Sequence, residues 1–302
     1  MVSAGEKRIR SLTTGILLAA SLPVFPGQAG GQQYPPEIPD ARVEVFKSVE
    51  GVDLRLWILS PDRHKTSDRA PAMVFFFGGG FRSGSPIQFL SQANAFRSRG
   101  MVAILADYRV SDRHGTGPGR AVEDGKSAIR WVRTHAGELG IDPARIGAGG
   151  ASSGGQLAAS TATLPGFEAP GEDGSVSSKP DALVLLNPGL VFAPVEGLSN
   201  GLADLVPPAD APAQDLSPYH HVGANLVPTL VMHGSNDELV PLATVIAFCR
   251  RASDQGGRCE VEAYDGVGHG FFNRPPYRER TIQRAERFLE SLGWLTTEGA
   301  SR

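Results

Sequence analysis

Two kinds of apolar pattern alternate along this chain. Residues 72–77 and 102–106 are continuous apolar runs, the mark of strands buried on both faces of a parallel sheet. Residues 54–59 alternate instead, with Leu54, Leu56 and Ile58 set against Arg55 and Trp57. Together with residues 43–49 they predict an antiparallel pair turning at Glu50 and Gly51. Residues 87–99 and 121–135 carry helical spacing. In the second, Val122, Ile129 and Val132 face inward, while Glu123, Lys126, Arg130 and Arg133 face outward. Runs at 144–149, 182–186, 229–232 and 259–264 predict further strands, and 156–163, 242–251 and 278–292 further helices. Strand and helix alternate throughout, which predicts an α/β fold.

Two stretches break the alternation, 164–179 and 188–218, both rich in Pro, Gly, Asp and Ser. The second exceeds an ordinary connection and predicts a small inserted cap.

The chemistry concentrates at Gly150-Ala151-Ser152-Ser153-Gly154-Gly155. A G-x-S-x-G between a short strand and a helix turns the backbone sharply and holds the serine hydroxyl clear of it. Gly-Ser runs also make flexible loops, so the strand and helix on either side carry the inference. Ser152 has glycine at both flanking motif positions, whereas Ser153 would need Ala151 and Gly155 there. Ser152 is therefore the candidate nucleophile, with the Ser153 N–H beside it as an oxyanion donor.

A serine nucleophile needs a base, and the base an orienting acid. Four histidines follow Ser152: His220, His221, His233 and His269. His269 lies in the glycine-rich stretch Gly266-Val267-Gly268-His269-Gly270, after a predicted strand, and is the candidate base. His233 directly follows the run 229–232 and reads as a packed strand-end histidine. His220 and His221 stand in a polar, Pro-bounded stretch and are expected at the surface or the inserted segment. For the acid, Asp237 sits in a loop after a strand, at the carboxyl edge of the sheet. Glu238 and Asp265 compete with it, the first aimed at the other side of the loop and the second close in sequence to His269.

These segments resemble the α/β-hydrolase superfamily, in particular bacterial acetyl esterases and hormone-sensitive-lipase-like carboxylesterases, over residues 43–292. Phe76-Phe77-Gly78-Gly79-Gly80-Phe81 is similar to the H-G-G-G loop of that family, and Asp107-Tyr108-Arg109 to the segment after its fourth strand. The elbow, the acid loop 233–241 and Gly268-His269-Gly270-Phe271-Phe272-Asn273 follow in the family's order. The resemblance implies a mostly parallel eight-stranded sheet, no cofactor, and oxyanion donors at the Gly79 and Gly80 N–H groups alongside Ser153. It also implies hydrolysis of short-chain, chiefly acetyl, esters, with acetylated carbohydrates among the expected substrates. A small cap without a long helical N-terminal lid suits small acyl groups. The pattern departs from the family at Phe77, which replaces the loop-supporting histidine; Phe77 is expected to pack beneath the loop. Phe81 and Phe271 adjoin the motifs and are candidates for lining the substrate pocket, whereas Asp107-Tyr108-Arg109 is expected to be structural. A prolyl-oligopeptidase-like peptidase shares the order of residues but carries a gating domain. A non-catalytic binding protein on the same fold is the other alternative.

The first 29 residues read as a signal peptide: Lys7, Arg8 and Arg10, then the apolar runs 16–20 and 22–25, then Gly27-Gln28-Ala29. The apolar stretch is short for a membrane span and is broken by Pro23 and Pro26. Export to the periplasm or beyond is expected, with no lasting membrane insertion. Residues 30–302 then form one α/β domain. Removing three cationic side chains and Glu6 moves the formal charge from −3 to −5, which disfavours nucleic acid as a partner. Cys249 ends a predicted helix and Cys259 opens the next strand, so the two can meet, and an oxidising compartment favours a disulfide. No Cys or His pair has metal-ligand spacing.

Overall fold

The computed structural model describes Met1 and residues 34–198 and 206–296. Residues 2–29 of the predicted signal peptide and residues 199–205 of the predicted cap lie outside the described residues.

An antiparallel pair opens the domain, β1 (Arg42–Val49) and β2 (Val52–Leu59). β3 (Ala70–Phe76) and β4 (Val102–Ala106) are buried along their whole length, as their unbroken apolar runs require. They are joined through a short 3₁₀ turn and α1 (Leu90–Ser98). A short turn of helix, α2 (Ser111–His114), and the long α3 (Pro118–Thr134) lead into β5 (Ile141–Ala151). Then follow α4 (Ser153–Thr163), β6 (Ala182–Leu186), α5 (Pro218–His221) and β7 (Thr229–Gly234). The last elements are α6 (Leu242–Ser253), β8 (Cys259–Tyr264) and α7 (Tyr277–Ser291).

The eight strands form one sheet in the order β1-β2-β4-β3-β5-β6-β7-β8. β2 runs antiparallel to both its neighbours, and every other pair is parallel. Successive side chains of a strand point to opposite faces, so the run Val74-Phe75-Phe76 feeds two cores. Val74 and Phe76 join Val122, Ile129, Leu157 and Phe248 of α3, α4 and α6. Phe75 joins Phe89, Phe96, Phe288 and Leu289 around α1 and α7.

β5 begins three residues earlier than the apolar run predicts. Pro143 has no N–H to give to the ladder, and the register with β3 slips between Ala70 and Ala72. Asp142 nevertheless holds this irregular start by binding Arg69 at 3.0 Å and Arg145 at 3.0 Å. Cys249 of α6 and Cys259 of β8 form a disulfide, their Cα atoms 5.1 Å apart.

Residues 188–198 and 206–217 contain no helix or strand beyond one bridge, Val195 to Leu198. They are fastened to the body rather than free of it. Leu190, Phe192, Val206 and Leu216 are buried. Asp210 accepts the N–H groups of Gly119 (2.6 Å) and Arg120 (3.1 Å) at the start of α3, where helix donors lack internal partners. Gln156 of α4 donates to Leu216 O at 2.9 Å.

Candidate active site

The site lies at the carboxyl ends of β3, β5, β6, β7 and β8, where a mostly parallel α/β sheet leaves its crevice. Ser152 occupies the single residue between β5 and α4 at φ 54°, ψ −121°. That backbone is strained for any residue bearing a Cβ, and its surroundings dictate it. A Cβ on Gly150 would stand 2.3 Å from Gly154 O, and one on Gly154 would stand 2.2 Å from both Phe76 O and Phe77 O. No side chain fits either gap, so the glycines of the motif are required by close packing. They place Ser152, not Ser153, at the apex. Ser153 is the first residue of α4, is 1 % exposed, and has an N–H that finds no partner within the helix.

Ser152 Oγ lies 3.0 Å from His269 Nε2, and His269 Nδ1 lies 2.7 Å from Asp237 Oδ2. The three converge from separate strand ends 117 and 32 residues apart in sequence. Asp237 divides its two oxygens between two tasks. Oδ1 accepts the N–H groups of Leu239 (3.0 Å) and Val240 (2.9 Å), which folds the acid loop back on itself. Oδ2 is left for the histidine. Neither competing acid reaches it: Glu238 is exposed, and Asp265 accepts the hydroxyl of Ser235 at 3.1 Å. The same Ser235 hydroxyl accepts the Gly266 N–H at 2.9 Å, so the acid and histidine loops are knit together.

The other histidines are structural. His220 and His221 bond to Ser217 Oγ and Gln214 O of the inserted segment. His233 is fully buried on β7 and donates from Nε2 to Val240 O at 2.7 Å, with Asp237 Oδ2 at 3.4 Å. Burial pushes its pKa down, which favours the neutral ring beside Asp237. Its contact with Asp237 is not visible in the spacing of the chain alone.

The loop expected to carry the oxyanion donors leaves β3 at Phe77. The Phe77 ring is fully buried and stacked on Tyr108, centroids 4.2 Å apart, and Tyr108 Oη donates to Phe77 O at 2.6 Å. Burial pushes the Tyr108 phenol well above its ordinary range, which keeps it a donor. Tyr108 is carried by a rigid neighbour: Arg109 binds Asp124 twice at 2.8 Å and Glu123 at 3.0 Å. Gln88 accepts the Gly78 N–H at 2.7 Å, a support the sequence motifs do not reveal. The Gly79 and Gly80 N–H groups donate to no other described residue.

Phe81 departs from expectation. Its positive φ of 57° turns the ring into the main core, 1 % exposed and edge-on to Tyr108 at 6.3 Å, so it packs the loop rather than facing a pocket. Phe271 follows the histidine loop but is also largely buried, its ring 4.9 Å from Tyr264 and 5.9 Å from Tyr277.

A family model for the alpha/beta hydrolase fold matches residues 73–273, from β3 to the turn after His269. The chain belongs to the α/β-hydrolase fold family. Among curated relatives of this α/β-hydrolase, esterase LipC of Mycobacterium tuberculosis is 30% identical over 220 residues, covering 67% of this chain and 53% of LipC. Carboxylesterase NlhH of the same organism is 31% identical over 140 residues, or 43% of this chain and 41% of NlhH. The chain thus spans about half the length, or less, of these relatives. Among solved structures, apo Thermogutta terrifontis esterase 2 superposes with a TM-score of 0.84 at 44% identity, over 88% of this chain and 100% of that one. Its propionate-bound form gives 0.83 at 45% identity, with the same coverage.

Proposed function

We propose that this α/β-hydrolase is a serine carboxylesterase acting on short-chain, chiefly acetyl, esters. The observation that carries the reading is the unbroken line from Ser152 Oγ through His269 to Asp237, at 3.0 and 2.7 Å, beneath a serine held at the elbow. His269 Nε2 takes the Ser152 proton as Oγ attacks the ester carbonyl, and Asp237 stabilises the imidazolium that forms. The Gly79, Gly80 and Ser153 N–H groups are the donors assigned to the oxyanion. Collapse expels the alcohol, which takes the proton from His269. Water then attacks the acyl-enzyme, with the same histidine as base.

The inserted segment packs against the body close to the elbow, the Gly189 N–H donating to Ser152 O at 3.4 Å, and a small segment fastened there is compatible with short acyl groups. The propionate- and butyrate-bound forms of Thermogutta terrifontis esterase 2 support the same acyl size. An exported enzyme is consistent with the N-terminal pattern and the Cys249–Cys259 disulfide.

The decisive measurement is release of p-nitrophenol from acetate, butyrate and decanoate esters, beside anilide analogues and an acetylated xylan. Acetate and butyrate are expected to be cleaved far faster than decanoate, and the anilides hardly at all. A preference for decanoate would remove the short-chain reading; rapid anilide cleavage would favour a peptidase.

A further inference from the structure

We propose that Asn187 is a positioning residue for His269, and that it matters most once Ser152 has been acylated. The proposal rests on the acyl-enzyme reading above. Asn187 directly follows β6, is 1 % exposed and sits at φ 36°, in the left-handed region where asparagine is among the few side chains tolerated. Its N–H donates to Met232 O at 2.9 Å, while the Ser152 N–H donates to Leu186 O at 3.0 Å, one residue earlier. One strand end therefore seats the backbone of the nucleophile and delivers an amide to the histidine loop. There Oδ1 accepts the Gly270 N–H at 3.3 Å, and Nδ2 lies 3.4 Å from His269 Nε2.

Chemistry fixes which way the amide faces. A backbone N–H can only donate, so the oxygen must meet Gly270 and the NH₂ must meet the imidazole. With the Nδ1 proton directed at Asp237, Nε2 carries the lone pair. In the free enzyme the Ser152 hydroxyl, at 3.0 Å, is the nearer donor to it. In the acyl-enzyme, Oγ is bonded to the acyl carbon and has no proton to give. Among the described residues the Asn187 NH₂ is then the donor left facing Nε2. It keeps the ring aimed while the hydrolytic water arrives. The water oxygen then bonds to the acyl carbon as its proton passes to Nε2. On collapse the C–Oγ bond breaks, that proton returns to Oγ, and the acid departs. Because an amide NH₂ cannot accept a proton, Asn187 never competes as a base.

Asn187→Gly tests this without backbone strain, since glycine accepts the left-handed conformation. Asn187→Asp keeps an acceptor for Gly270 and loses the donor. With p-nitrophenyl acetate in stopped flow, both variants are expected to show a burst of p-nitrophenol and then a steady rate reduced by up to roughly tenfold, the worth of one hydrogen bond. Acylation, read from the burst rate, should fall much less. Equal slowing of both phases, or no slowing, would overturn the proposal. A second readout needs no turnover. In ¹⁵N-labelled Ser152→Ala protein, where the hydroxyl donor is gone, the His269 Nε2 resonance should report a lone pair that still accepts a hydrogen bond, with Nδ1 protonated towards Asp237. In Ser152→Ala/Asn187→Gly the Nε2 resonance should move towards that of a free imine nitrogen, and identical spectra would count against the proposal. If the unmutated chain released no p-nitrophenol, the esterase reading would fall together with the deacylation role. The ring-nitrogen spectra would still decide whether Asn187 positions His269.

Discussion

Ser152 and His269 meet at one site but are held there by opposite means. The serine is fixed by backbone against backbone: Gly154 lies so close to the carbonyls of Phe76 and Phe77 that a single added carbon would overlap them. The histidine stands on a glycine-rich loop, 13 % exposed in its side chain, and is aimed by side-chain hydrogen bonds to Asp237 and Asn187. The proposed nucleophile is thus part of the sheet's packing, whereas the proposed base is an attachment to it. Damage to the first should reach the fold, and damage to the second only the alignment of the chemistry.

The largest effect removes the chemistry and leaves both supports intact. Ser152→Ala and His269→Ala should each lower turnover of an acetyl ester on the order of 10⁶-fold, with Asp237→Asn nearer 10⁴-fold, following the behaviour of serine hydrolases whose triad members act as a unit. Thermal midpoints of the serine and histidine variants should stay close to the unmutated chain. Ser153→Ala should be nearly silent, because it keeps the backbone N–H. A dead Ser153→Ala beside an active Ser152→Ala would invert the assignment of the apex.

Next comes the elbow itself. Gly154→Ala places a Cβ 2.2 Å from two carbonyl oxygens, and neither oxygen belongs to a side chain that could swing away. Overpacking of this kind costs up to about 3 kcal/mol, which lowers the midpoint of a domain this size by roughly 6–12 °C. Gly268→Ala, in the histidine loop, meets nothing nearer than 3.5 Å and should leave the midpoint almost unchanged. Similar midpoints for the two variants would dissolve the contrast between the packed and the attached half of the site.

That contrast also decides what could be read from the chain. The buried strands announce themselves by unbroken apolar runs, and Ser152, Asp237 and His269 each stand in a short motif after such a run. Their convergence is therefore readable from strand order. The start of α4 is not. Gly154 and Gly155 lie inside its first turn, where glycine is a poor helix former, so propensity places the helix start at residue 156 instead of Ser153. Only the approach of the β3 carbonyls explains why glycine is needed there. Asn187 is hidden for a related reason. In the sequence it is one polar residue between a strand and Pro188, and its partners lie more than 80 residues later. Phe81 misleads in the other direction, because a positive φ redirects a ring that its place beside the motif suggests should face substrate.

The proposed oxyanion loop belongs with the packed half, and Phe77 tests that placement. Phe77→His sets a polar ring against Tyr108 in a fully buried space, at a cost of roughly 1–3 kcal/mol if it finds no partner. The thermal midpoint should fall, and turnover per folded molecule should fall or stay flat, because Gln88 and Tyr108 already hold the loop. A variant both more stable and clearly faster would show that shape alone supports the native loop poorly.

The smallest effect lies in the buried packing beneath Asp237, which supports the attached half, and it appears with pH. Burial holds the folded-state pKa of His233 below its ordinary 6.5, so the unfolded chain takes up a proton first as pH falls. In that window the unfolded state binds more protons than the folded one, and stability therefore rises with pH. The contribution is fully present above about 6.5 and is lost as pH falls below it. His114 and His220, also pushed down by burial, act in the same direction. Glu123, which burial would raise but Lys47 holds below the usual carboxylate range, matters only in more acid solution. The thermal midpoint should therefore drop as pH falls below about 6.5, before the carboxylates contribute. In His233→Gln, whose amide can still donate to Val240 O, the drop should be shallower, with His114 and His220 accounting for what remains. An equally steep drop would mean that His233 takes no part, and that the packing beneath Asp237 does not sense the proton at all.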